Sequence, residues 1–195
     1  MKDPKKFFYA DPHFGHNKII QFENRPFENL NDMHSKLIKN WNEVVSDQDN
    51  IFVIGDVSFT GTRATEEIIK QLKGRKHLIL GNHDWSHSMT KWQSMGFDSV
   101  YQQAIMNLSK DVKVKLCHFP YTDTRYPEYV PLKEDGVWLI HGHQHRKGKI
   151  VDAENKMICV SLELWGYKPI DSNKIINMVN SNKGLDFKFL PSEEK

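Results

Sequence analysis

Six apolar runs of three to six residues, rich in β-branched and aromatic side chains, punctuate the sequence: Phe7 to Ala10, Ile51 to Ile54, Leu78 to Leu80, Val112 to Cys117, Val137 to Ile140 and Met157 to Ser161. Runs this short and of this composition read as strands. Helical patterns lie between several of them. After Asn29, the residues Leu30, Met33, Leu37, Trp41 and Val44 recur three or four apart and line one face of a helix, a stripe that belongs in a core. A second helix is predicted from about Thr65 to Lys73, stopped by Gly74 as a left-handed cap, a third from near Ser86 to Gly96, and a weaker fourth over Asn173 to Val179. Strands and helices alternate to about Gly96, then strands dominate to about residue 161, which predicts an α/β architecture with mixed sheets.

At 195 residues the chain fits one domain, over 1–190, with 191–195 as a short solvated tail. The 27 Lys and Arg nearly balance 25 Asp and Glu, so the strong basic excess of many nucleic-acid binders is absent. Cys117 and Cys159 each lie in an apolar run and read as buried thiols in a reducing setting. No stretch approaches the roughly 20 apolar residues that span a bilayer, so a cytoplasmic protein without a membrane partner is expected. Lys110, Lys113 and Lys115 alternate with apolar residues and are predicted to form the solvated face of a strand, while Trp41, Trp92 and Trp138 read as core.

Polar residues cluster where the predicted strands end. Asp11-Pro12-His13, Gly55-Asp56, Gly81-Asn82-His83-Asp84, Cys117-His118 and His141-Gly142-His143-Gln144-His145 each directly follow one. In open α/β sheets ligands gather at the carboxyl ends of strands, so five ends are expected to meet at one pocket. Seven of the ten histidines lie in or beside these segments; His34, His77 and His87 lie outside and read as structural or exposed. Imidazole combined with carboxylate and amide oxygen suits Mn, Fe, Zn, Ni or Co, whereas Ca or Mg would favour oxygen alone. On an extended segment Asp11 and His13 would point to the same side and reach one ion. His143 and His145 share that spacing and could equally grasp neighbouring ions. A carboxylate such as Asp56 can bridge two cations. His141 reads either as a partner of the ligands or as a core histidine.

The order D-x-H, G-D, G-N-H-D, H, G-H-x-H, from Asp11 to His145, resembles the signature of calcineurin-like metallophosphoesterases. Asp11-Pro12-His13-Phe14-Gly15-His16, Arg25-Pro26-Phe27, Trp41-Asn42 and Trp165-Gly166-Tyr167-Lys168-Pro169 are similar to a small single-domain bacterial and phage branch, for which the host cytoplasm would be the setting. The resemblance implies a four-layer α/β/β/α sandwich with two mixed β-sheets. It further implies that Asp11, His13, Asp56 and His145 hold one metal and Asp56, Asn82, His118 and His143 the other, with Asp56 as the bridge. Two divalent transition-metal ions, manganese first, are the expected cofactors. Pro12 stands where many relatives carry Ser or Thr and removes a donor, and Cys117 precedes His118 where a small polar residue is frequent.

Paired cations lower the pKa of a bound water and screen the charge that repels hydroxide from a phosphate ester. His83 is the candidate general acid, with Asp84 expected to fix its tautomer. His16 and Arg25 are the candidate donors to phosphate oxygens at the pocket mouth, beside the ligand Asn82. The expected substrate is a small phosphoester, nucleotide-like diester or monoester. A nuclease acting on DNA or RNA is the less favoured alternative, and a silent scaffold that keeps only the fold is a third.

Overall fold

A computed structural model of the chain describes residues 3–182, so the expected tail at 191–195 lies outside the described residues. In chain order its elements are β1 (Lys6–Tyr9), α1 (Ile19–Phe22), α2 (Leu30–Val44), β2 (Asn50–Ile54), α3 (Thr62–Ile69), β3 (Arg75–Ile79), α4 (Met89–Ser94), β4 (Ser99–Tyr101), β5 (Ala104–Asn107), β6 (Lys113–Leu116), β7 (Trp138–His141), β8 (Val151–Asp152), β9 (Met157–Cys159), β10 (Ile170–Asp171) and α5 (Ser172–Asn182). All six predicted strands are present within a few residues.

Helix α2 begins where the sequence signals it: the Asn29 side chain accepts the Asp32 N–H at 3.0 Å, and Met33, Leu37 and Trp41 are buried along one face. Two helix boundaries differ from expectation. Helix α3 starts at Thr62 and ends at Ile69, and Gly74 (φ +88°) instead makes the turn into β3 against Val45. The helix predicted from Ser86 splits into a short 3-10 turn at Asp84–Ser86 and α4, which is capped by the Ser88 hydroxyl on the Lys91 N–H at 3.2 Å.

The strands form two mixed sheets. The first has the order β10-β1-β2-β3-β4, with β1 to β4 parallel and β10 antiparallel to β1. The second has the order β5-β6-β7-β9-β8, parallel in its centre and antiparallel at both edges. The period-two alternation of β1 sorts its side chains between two cores. Phe7 and Tyr9 pack under the helices with Trp41 and Trp92, while Phe8 faces Ile140, Ile158 and Trp138 of the second sheet. Each such fully buried aliphatic or aromatic side chain contributes roughly 1.5–3 kcal/mol. A third cluster lies around Cys117, Phe119, Leu139 and Met157, against Tyr121, Tyr126, Tyr129 and Val130 from the segment after β6.

That segment corrects the reading of the β6 lysines. Lys115 is buried, its ammonium donating to the Leu132 carbonyl at 2.7 Å and paired with Glu134. The strand alternates as expected, but the chain returns over the face that was predicted to be wet. Among the described residues no helix is long and apolar enough to cross a membrane.

Candidate metal centre

Asp11 and His13 follow β1, Asp56 follows β2, Asn82 and His83 follow β3, His118 follows β6, and His143 and His145 follow β7. Parallel strands within each sheet deliver these residues to one end of the sandwich. Two groups result: Asp11, His13 and His145 have ligand atoms within 4.8 Å of one another, as do Asp56, His118 and His143. Asp56 stands between them, with Oδ2 3.4 Å from His13 Nε2 and 3.4 Å from His118 Nε2. His143 and His145 therefore serve different groups.

The backbone that presents these side chains is not extended. Asp11, His13, Asp56, His143 and His145 all have φ between +49° and +70°, which corrects the picture of Asp11 and His13 as same-side residues of a strand. Left-handed conformations cost non-glycine residues about 1–2 kcal/mol each. They persist because the loops brace one another: Asp11 N–H donates to Gly55 O at 3.1 Å, His13 N–H to Asp56 O at 3.0 Å, and Gly142 N–H to His118 O at 3.1 Å. The packing leaves no room for a Cβ at Gly55, where it would strike the His118 ring, or at Gly81, where it would strike Asp56.

Hydrogen bonds at the far ring nitrogens decide which nitrogens face the centre. His118 Nδ1 lies 2.9 Å from the Ile54 carbonyl and His145 Nδ1 lies 2.9 Å from Glu163, which leaves Nε2 of both rings for a ligand. His143 is reversed, with Nε2 3.0 Å from Asp123 Oδ2 and Nδ1 3.1 Å from His118 Nε2. Asn82 Oδ1 is buried without a hydrogen-bond partner, and His13 Nε2 is buried with only the Asp56 carboxylate at 3.4 Å, too poorly placed for a hydrogen bond. Such orphans are costly unless something binds them, and a cation is what this set of lone pairs fits. Burial opposes a charge on His118, yet the Asp56 and Asp11 carboxylates raise its pKa to about 10. The two carboxylates thus favour positive charge beside the His118 ring.

Two of the residues assigned from sequence do other work. Asp84 does not touch His83: its Oδ2 accepts the N–H groups of Asp56 and Gly81 at 2.8 Å and its Oδ1 that of Val57 at 2.9 Å. Burial and the Asp56 charge push its pKa up to about 7 against the Gly81 and Val57 donors. Arg25 is not at the pocket mouth. Its buried guanidinium binds the carbonyls of Asp11 (2.7 Å) and Pro12 (2.9 Å) and the Glu163 carboxylate (2.7 Å), pinning the first ligand loop.

His83 lies exposed at the rim, its ring 5.6 Å from that of His13, and its N–H donates to Asp56 Oδ1 at 3.0 Å. His16 also lies at the rim, stacked on Phe59 at 4.2 Å, with burial and neighbouring histidines lowering its pKa to about 4. His141 is a core histidine bonded to the Gly142 carbonyl at 2.9 Å, and burial lowers its pKa to about 4. His34 accepts the Gly15 N–H at 2.8 Å and so braces the first loop.

Sequence reasoning missed Glu163, Asp123 and Ser161, whose hydroxyl donates to Asp11 Oδ2 at 2.6 Å. It also missed the half-exposed Phe59, whose ring packs against His13, His16 and His83 (39% exposed). Asp123 lies five residues after His118 and Glu163 two residues before the Trp165-Gly166 motif, and that nearness is the signal that could have found them.

The sequence model of the calcineurin-like phosphoesterase superfamily domain matches residues 29–161. An uncharacterized protein of Methanocaldococcus jannaschii is 33% identical, over 94% of this chain and 96% of that protein. The gene 66 protein of Mycobacterium phage L5 is 29% identical, over 89% and 93% of the two chains. A crystal structure of a protein of unknown function from Aquifex aeolicus superposes with a TM-score of 0.74 at 28% identity, over 90% of this chain and all (100%) of that one.

Proposed function

Because the chain belongs to the calcineurin-like phosphoesterase superfamily, we propose that it is a metal-dependent hydrolase of small phosphoesters, either nucleotide-like diesters or monoesters. The observation that carries this reading is the pair of ligand groups joined at Asp56. Asp11, His13, Asp56 and His145 would hold one ion and Asp56, Asn82, His118 and His143 the other. Two divalent ions at this site, manganese before iron, zinc, nickel or cobalt, supply Lewis acidity toward phosphoryl oxygens and a water of lowered pKa.

The chain's own residues do the rest. His83, free of Asp84 and facing solvent over the centre, donates a proton to the departing alkoxide. His16 binds a nonbridging oxygen from the rim. The half-exposed Phe59, packed among His13, His16 and His83, offers an apolar edge for a ring in the substrate, which favours a nucleotide-like ester over a plain alkyl one. The near-neutral charge supports a small substrate over an extended nucleic acid.

Chelator-stripped protein should be inactive on bis-nitrophenyl phosphate, nitrophenyl phosphate and cyclic nucleotides, and should recover with manganese, nickel or cobalt better than with calcium. Full activity without metal, or two bound ions with no hydrolysis of any of these esters, overturns the reading.

A further inference from the structure

The segment after β6 carries one buried carboxylate among exposed neighbours. The Asp123 side chain is 4% exposed, although Thr122, Thr124 and Arg125 around it are exposed. Its two oxygens are divided in function. Oδ1 accepts the backbone N–H groups of Arg125 at 2.7 Å and Tyr126 at 3.2 Å, which fixes the carboxylate on its own loop. Oδ2 faces His143 Nε2 at 3.0 Å and also accepts the Arg125 guanidinium at 3.3 Å.

His143 turns Nδ1 toward His118 and the ligand group. A neutral imidazole that offers the Nδ1 lone pair keeps its proton on Nε2, and that N–H needs an acceptor. The Arg125 guanidinium lies against both groups, approaching Nε2 and donating to Asp123 Oδ2 at 3.3 Å, but it has only donors and cannot accept the Nε2 proton. Asp123 Oδ2 is the acceptor within reach.

We propose that Asp123 is a positioning residue for the second ion: it holds His143 as the Nε2–H tautomer and so strengthens the grip of Asp56, His118 and His143 on a divalent cation. The inference rests on the reading of these residues as metal ligands. It adds a residue that no ligand motif contains, and it gives His143 the same kind of carboxylate partner that Glu163 gives His145.

Asp123→Asn separates this role from a merely structural one. The amide oxygen can still accept the Arg125 and Tyr126 N–H groups, while the amide NH2 sets a donor against the His143 N–H. Calorimetric titration of stripped protein with manganese should show one ion bound as in the wild type and the other bound about 10–100-fold more weakly. Unchanged affinity for both ions, or equal weakening of both, overturns the proposal. Should the variant fail to fold, ¹⁵N imidazole spectra of the ion-free wild type decide, since a His143 proton on Nδ1 is incompatible with the proposal. A wild-type protein that binds no pair of ions would instead sink the functional reading itself.

Discussion

His83 shows what position can say without a partner. It adjoins Asn82, its N–H is tied to Asp56 Oδ1, and its ring packs 4.6 Å from Phe59 with the edge in solvent. If it protonates the leaving group, His83→Gln should cost roughly 10²–10⁴-fold in rate on alkyl esters, and far less on nitrophenyl esters, whose leaving oxygen scarcely needs a proton. Equal losses on both, at matched metal content, would make it a binding donor instead. Asp56 and His13 form a second contrast. Asp56→Asn should lower occupancy of both ions and His13→Ala mainly one, as read by elemental mass spectrometry; independent loss of one ion in each would refute the bridge. The residues that gather into the two candidate groups were legible because each sits in a short motif at a strand end. The roles of Asp84 and Arg25 were not, because motif spacing does not say which way a side chain turns. Arg25 finds Glu163, a residue 138 positions away, and Asp84 turns inward to three backbone donors.

At the scale of elements, periodicity located α2 and the central strands because each buries a regular face. It was silent on β4, β5, β8 and β10, the edge strands of the two sheets, which are short and only partly buried. The joints between elements were equally hidden, and Asp49 is an example. One oxygen accepts the Lys5 N–H at 2.8 Å, and the other accepts the Ser46 N–H at 2.8 Å and its hydroxyl at 2.7 Å, tying the start of β1 to the end of the α2 connection. Burial pushes its pKa up, but the Ser46 and Lys5 donors outweigh burial and bring it below the ordinary value. A carboxyl shifted this way contributes stability that is fully present above its unfolded pKa, about 4, and is lost as pH falls through the lower folded value. Asp49→Ala should therefore cost about 2 kcal/mol at neutral pH. Urea titrations should show the gap to the wild type narrowing below about pH 4. A gap that held constant into acid would mean the carboxylate charge has no part in the joint.

For the whole molecule, the alternation of strands and helices indicated an α/β domain with mixed sheets, while the sandwich of two sheets was implied only by the family resemblance. It could not reveal that the chain returns over β6 and buries Lys115, since only the complete path brings Leu132 and Glu134 there. Nor could it reveal how the centre is divided between the sheets. Asp11 and His13 come from the first sheet and their companion His145 from the second; Asp56 comes from the first, and His118 and His143 from the second. Neither group is complete on one sheet. On a ribosome, which releases the chain from its amino end, the carboxylates would emerge long before the imidazoles of the second sheet. A nascent chain broken off before His118 would have acids in place and no pocket to trap an ion. Capture of both ions would then certify that synthesis had passed His145 and that both halves had met.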